Sequence, residues 1–457
     1  TEVRTDAGAL VSRVVSHAER DAFGRPTRVL VNGEELASYG YQNEGYLDFA
    51  TFSARHANEE IVTFQRDPLT RRHTGHNLAT TTWTSATTTR LDARGLIGRE
   101  AFDIGTARRE RAYGYDAAGQ LTSTSDGASP ASDATADETY AYDAAGLQTT
   151  RTKAGVVTAF TRSGATLTAG EHTYTFDELG RVVAKDDVEL AYGPRGHVRE
   201  ARNAQKTWAY LYDEQGLRIA KLEGGVVTQA FPKDGSFLDA AHGLVEPLHV
   251  GGVLVGTLHH GAAGTAEATR FEPIAADLRG TRLSNRDGSP VFASPWGERD
   301  GGTHPDLAEA VDYATKGWDR DLGVVRMGVR DYDPALGRFL QPDALYFENL
   351  EKCAESPLDC NLYAYAKNNP LLFVDPTGFE GEQLSVFQKA GHVAAGIAYG
   401  TTQAFTTGGL LLNPPGQTRY FEMGQAAGGA DGAYDSNGRK VGAGNGLASG
   451  LAHFEVA

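Results

Sequence analysis

The stretch Gly328-Val329-Arg330-Asp331-Tyr332-Asp333-Pro334-Ala335-Leu336-Gly337-Arg338-Phe339-Leu340-Gln341-Pro342-Asp343 decides how the rest of the chain is read. A short aromatic strand runs into Asp-Pro, and a Gly follows. Asp bonds its own backbone, Pro presets φ, and Gly accepts the left-handed conformation, so the segment reverses direction. The same chemistry returns in Asn361-Leu362-Tyr363-Ala364-Tyr365-Ala366-Lys367-Asn368-Asn369-Pro370 and again in Asp375-Pro376-Thr377-Gly378-Phe379. Residues 317 to 379 therefore describe three chain reversals joined by short apolar segments.

Working outward, one phrase recurs from the start of the chain to about residue 230. Its clearest copies are Tyr113-Gly114-Tyr115-Asp116-Ala117-Ala118-Gly119, Tyr140-Ala141-Tyr142-Asp143-Ala144-Ala145-Gly146, Tyr174-Thr175-Phe176-Asp177-Glu178-Leu179-Gly180 and Tyr210-Leu211-Tyr212-Asp213-Glu214-Gln215-Gly216. Weaker copies surround Gly24, Gly45, Gly95 and Gly196. Aromatics two apart put both rings on one face of a strand. The Asp opens a turn and the Gly three residues later closes it, after which apolar and polar residues alternate as in a returning strand. Each copy predicts a β-hairpin, and a lone hairpin cannot bury its aromatic face, so copies must pair edge to edge. The fold class is mostly β: a continuous antiparallel sheet of hairpins, with a short mixed, partly helical C-terminal segment.

Totals agree with this reading. The 457 residues include 55 Gly and only 2 Met, which fits many turns and few packed helices. Lys and Arg number 43 against 59 Asp and Glu, a net charge of −16, so the repeat region lacks the basic face that nucleic acid requires. The adjacent His259 and His260 point to opposite faces of a strand, and no His or Cys pair has ligand spacing, so neither metal nor cofactor is expected. Between 231 and 316 the repeats fade, but Asp277 to Gly288 again reads strand, turn, strand, and belongs to the same sheet. No signal peptide is visible, and the first residues already read like repeat.

Chemistry is concentrated in the opening stretch. Asp331 and Asp343 are separated by a turn, so an out-and-back pair of strands would bring them face to face, with Arg330 beside them. Two carboxyls in one site supply an acid and a base, the chemistry of an aspartic protease. The plain alternative is that an Asp near Pro or Gly is a turn residue.

Together these phrases resemble the Rhs (YD-repeat) proteins with their repeat-associated core, and the related bacterial insecticidal toxin C components and teneurins. The resemblance implies that the hairpin sheet curves into part of a hollow shell. It also implies that the core cuts its own chain after an Asp-Pro-x-Gly-hydrophobic phrase, using an Arg, the Asp that follows it and an Asp thirteen residues beyond the Arg. Arg330, Asp331 and Asp343 stand at those places, Asp375, Pro376 and Gly378 form the cleavage phrase, and the cut falls between Phe379 and Glu380. The chain departs from the pattern at Ala344, where Pro is usual, and at Phe379, where Leu or Met is commoner. The implied organisation is a YD-repeat array over 1–230, a core with autoprotease over 231–379, and a variable segment over 380–457. The implied function is a polymorphic-toxin shell, secreted or at the cell surface, that encloses its own C-terminal segment and releases it, with a delivery apparatus and an immunity protein as partners. The alternative is a cell-surface interaction protein that binds carbohydrate or a partner cell without self-cleavage.

Two further expectations concern residues outside the repeats. Cys353 and Cys360 are placed to form a disulfide in an oxidising compartment, in an excursion between Phe339 and Tyr363. Residues 384 to 412 are apolar with small residues every few positions, which suits a helix packed on protein rather than in lipid; His392, Asp431, Asp435, Arg439 and His453 form no catalytic spacing.

Overall fold

The computed structural model describes residues 2–4, 10–12, 15–31, 33–42, 45–52, 60–69, 72–126, 136–232, 235–260, 269–343, 361–378, 382–383, 419–421 and 454–456. Cys353, Cys360, Phe379, Glu380 and the apolar run 384 to 412 lie outside the described residues.

Twenty-five strands, from Val15–Arg20 to Thr269–Pro273, form one antiparallel ribbon in which each strand pairs with its neighbours in sequence. The ladder continues without a break from Val226–Ala230 through Phe237–Asp239, so the sheet extends past the last clear repeat. The repeat phrase explains the pairing. In the Asp177 turn the side-chain Oδ1 accepts the N–H groups of Leu179 and Arg181 at 3.0 and 2.9 Å, and the Gly180 N–H returns to the Asp177 carbonyl at 3.0 Å. Gly180 has φ of 78°, the left-handed value its place in the phrase demands. Asp92, Asp143 and Asp213 accept backbone N–H groups two and four residues on in the same way.

The second aromatic of a repeat ties it to an earlier turn. Hydroxyls of Tyr41, Tyr115, Tyr142, Tyr192 and Tyr212 donate to the carbonyls of Pro26, Ile97, Leu121, Val182 and Val198, at 2.5 to 2.8 Å. Each acceptor lies two residues after the closing Gly of the preceding turn, so one hydroxyl per repeat sets the spacing between hairpins. The first aromatic points to the same face and is buried, as at Tyr39, Tyr140, Tyr174 and Tyr210.

The ribbon coils until its ends meet by side-chain packing: Phe52 stacks on Phe271 with ring centroids 4.3 Å apart, and Leu248, Val250 and Val255 join Phe52, Phe64 and Leu78 in one apolar cluster. Residues 274–343 and 361–378 pack as a plug against the ribbon's buried aromatics, Trp296 on Tyr140 and Asp333 on the Tyr174 hydroxyl. Asp277 to Gly288, expected in the same sheet, makes only isolated bridges within the plug because its turns close on themselves. Inward cations of the ribbon set its register against the plug. Arg111 donates to the Ala293 carbonyl, Arg151 pairs with Glu298, Lys185 with Asp333 at 2.7 Å, and Lys221 with Asp319 at 2.5 Å. In return, Arg279 of the plug bonds Glu100 at 3.0 Å. Such pairs add little net stability over apolar packing, but a shift in register would leave buried charges uncompensated. The Asn-rich phrase reads the ribbon's turns directly: Asn368 donates to the Gly146 carbonyl at 2.7 Å, Asn369 to Gly119 at 2.8 Å, and the Tyr363 hydroxyl to Leu179 at 2.6 Å.

His259 pairs with Glu272 and His260 with Glu246, on opposite faces as strand alternation requires. Four short strands, Glu2–Arg4, Leu10–Ser12, Arg419–Phe421 and Phe454–Val456, form a separate small sheet.

Candidate functional site

The site is built where the strand Arg330–Asp333 meets the phrase Asp375-Pro376-Thr377-Gly378. Backbone holds the two together: the Val329 N–H donates to the Thr377 carbonyl at 3.0 Å. Two glycines permit the approach. A Cβ at Gly328 would lie 2.1 Å from the Thr377 oxygen, and one at Gly378 would lie 2.0 Å from the Met327 oxygen; both residues also have positive φ.

Arg330, 5% exposed, gathers the site. Its Nε donates to the Gly378 carbonyl at 2.5 Å and its Nη1 to the Leu362 carbonyl at 3.2 Å. Its Nη2 meets two carboxylates, Asp375 at 3.0 Å and Asp343 at 3.1 Å. The guanidinium lies over the Phe339 ring at 3.6 Å, which excludes water from one side. Asp375 is fixed by its own turn, accepting the Gly378 N–H at 2.7 Å, and Asp343 by its N–H, which donates to the Leu362 carbonyl at 2.9 Å. Two carboxylates on one cation, against the backbone that precedes the Phe379 to Glu380 bond, form an arrangement able to bind a peptide and exchange protons with it.

Asp331 lies elsewhere. Neighbours in a strand face opposite sides, and its carboxylate is turned from the Arg330 cluster toward the ribbon. Arg218 Nη2 donates to both Asp331 oxygens at 2.8 Å, and Gln341 Nε2 donates to Oδ2 at 3.1 Å. Arg218 also reaches Asp319 at 3.1 Å. Burial pulls the Arg218 guanidinium down, but the Asp331 carboxylate beside it, with Tyr212 and Asp319, holds it above its ordinary range. The structure thus brings Arg330, Asp343, Asp375 and Gly378 together and sets Asp331 on the opposite face. Arg218 carried no sequence signal, because it arrives from a distant repeat with a common residue type; Gln341 and Leu362 stand in the quoted phrases, but nothing in their spacing says what they touch. Among the described residues no group of three or more His, Cys, Asp or Glu could hold a metal ion.

Comparison with known proteins bears on the fold. A family model described as Teneurin YD-shell matches residues 78–234 and 288–371. Teneurin-1 of Gallus gallus and of Homo sapiens are each 26% identical over 221 residues, covering 44% of this chain and 8% of the relative. Among solved structures, the Photorhabdus luminescens Tc holotoxin pore is similar over 87% of this chain and 21% of that chain, with TM-score 0.55 and 17% identity. A TcdB2-TccC3-Cdc42 crystal structure gives TM-score 0.56 and 19% identity over 87% of this chain and 22% of that one. The chain spans under a tenth of those teneurins and about a fifth of those toxin chains; what is shared is the YD-shell fold.

Proposed function

The chain belongs to the teneurin YD-shell family, and from that premise we propose that it is the shell of an Rhs-type polymorphic toxin, secreted or at the cell surface, which encloses its C-terminal segment and frees it by cutting itself after Phe379. The observation that carries this reading is the hold of Arg330 on the Gly378 carbonyl beside Asp343 and Asp375, one residue before the bond to be cut. Arg330 fixes the peptide. Asp343 acts as the acid–base group: it takes a proton from water as the oxygen adds to the Phe379 carbonyl carbon, the bond to the Glu380 nitrogen breaks, and the proton passes to the departing amine. Asp331, on the far face, acts by fixing the strand that carries Arg330. A site that needs to turn over only once gains most from proximity, since a tethered substrate is always bound. The enclosed segment, a delivery apparatus and an immunity protein are the partners this reading requires.

Intact mass tests it. Wild type is expected to lose the 78 residues after Phe379, while Asp343→Asn, of equal volume but without acid–base capacity, is expected to fold and cut at least about a hundredfold more slowly. A wild-type chain that stays whole, or a variant that still loses the tail, overturns the assignment.

A further inference from the structure

The ribbon touches the cleavage strand at the residues on either side of Arg330, and at no point does this contact follow from self-cleavage chemistry. The ring Nδ1–H of His197 donates to the Val329 carbonyl at 3.1 Å, while the N–H of the same Val329 donates to the Thr377 carbonyl of the cleavage phrase at 3.0 Å. On the other side, Arg218 holds both oxygens of Asp331 at 2.8 Å. His197 and Arg218 come from successive repeats, directly after Gly196 and two residues after Gly216. They are joined through one aromatic: His197 stacks on Tyr212 with centroids 4.8 Å apart, and Arg218 Nη2 lies 3.1 Å from the Tyr212 hydroxyl oxygen, whose proton goes to the Val198 carbonyl at 2.8 Å.

We propose that the repeat array grips the cleavage strand through His197 and Arg218, as positioning residues, and that this grip makes cleavage depend on closure of the shell around its core. The inference rests on the self-cleavage reading above. Its physical basis is short reach: Val329 and Asp331 are the immediate neighbours of Arg330, so a tilt of this strand moves the guanidinium away from Gly378, and misplacement by about an ångström costs on the order of a hundredfold in rate. Not every arginine of the repeats reaches the plug. Arg181, for example, bonds Asp177 at 2.7 Å and stacks over Tyr192 at 4.6 Å. Arg218, like Arg111 and Arg151, spends donors on the plug, and of these three it is the one that holds Asp331, beside Arg330. A chain whose last repeats have not yet wrapped the plug lacks both contacts, so the cut waits for enclosure.

The test follows cleavage by intact mass after refolding of the full chain. His197→Leu removes the donor and is expected to slow the cut by about tenfold or more; His197→Asn, whose amide N–H occupies nearly the place of Nδ1, is expected to restore most of the rate. Arg218→Gln is expected to be slower still, and Arg181→Gln to cut like wild type. A folded His197→Leu chain that cuts at the wild-type rate overturns the proposal, as does a His197→Asn chain no faster than His197→Leu. If Arg218→Gln does not fold, the His197 pair decides alone. If wild type itself stays whole, the self-cleavage reading falls, and the grip is judged by hydrogen exchange of the Val329 to Asp333 amides: faster exchange in His197→Leu than in His197→Asn supports it, and equal exchange overturns it.

Discussion

Asp177 in the ribbon and Asp375 in the plug open the same phrase, Asp-x-x-Gly, and each turns its Oδ1 onto its own backbone, at 3.0 Å to Leu179 and 2.7 Å to Gly378. They differ in what the second oxygen meets. In Asp177, 21% exposed, it accepts from Arg181 four residues along the same turn. In Asp375, 1% exposed, it accepts from Arg330, forty-five residues away. The same local chemistry therefore makes a repeating joint where it faces water, and half of a charged site where it is buried against a strand from elsewhere. Burial and the origin of the cation separate a turn from a candidate site.

Breaking each Asp should expose that difference. Asp375→Ala leaves Arg330 buried with fewer partners and opens the turn, so it is expected to cost about 3 to 5 kcal/mol and abolish cleavage. Asp177→Ala loses hydrogen bonds whose donors can turn to water, at about 1 kcal/mol. Urea unfolding of both variants checks this; equal costs would mean that the shared phrase, not its surroundings, sets the energetics.

The contact between ribbon and plug should also respond to acid. His73 and His76 are buried in the ribbon and His249 is half-buried there, and loss of solvent depresses them from about 6.5 to about 3, 4 and 4. His76 and Arg66 add repulsion at His73, Lys316 adds it at His249, and Asp277 of the plug opposes the shift at His76. The sign follows from linkage: the unfolded chain takes up these protons first, so their contribution is complete above pH 6.5 and is lost as pH falls from there toward 4. Thermal melting between pH 7.5 and 4.5 should show that decline. His76→Gln should flatten it relative to wild type, and an unchanged acid limb would assign the decline to carboxylates instead.

Much of the ribbon was legible because it is local. Aromatic spacing, the turn Asp and the Gly specify each hairpin within nine residues, and pairing of neighbours follows. The approach of Arg330 to the cleavage phrase could be read only through resemblance, since nothing in the spacing of 330 and 375 says they touch. The position of Asp331 was open in the same way. Alternation in a strand separates it from Arg330, a rule visible in sequence, but the partner that claims it, Arg218, depends on how far the ribbon coils. The inward cations Arg151 and Lys185 are likewise invisible until the plug supplies their counter-charges, Glu298 and Asp333.

The tyrosine staples give the smallest effect and a direct test of the ribbon side of the comparison. Tyr192→Phe keeps the ring, its contact with Arg181 at 4.6 Å and its burial, and removes only the hydroxyl that reaches the Val182 carbonyl at 2.5 Å. A neutral hydrogen bond at a part-buried site is worth about 1 kcal/mol net. The expected loss is therefore about 0.5 to 1 kcal/mol by urea unfolding. Repeats couple to their neighbours, so Tyr142→Phe combined with Tyr192→Phe, from non-adjacent turns, should cost close to the sum of the single changes, as in an array stabilised neighbour by neighbour. The Phe at position 176 shows that the sheet tolerates a repeat without this hydroxyl. A loss above about 2 kcal/mol for Tyr192→Phe would mean the staple is buried and closer in character to the plug than to a surface joint.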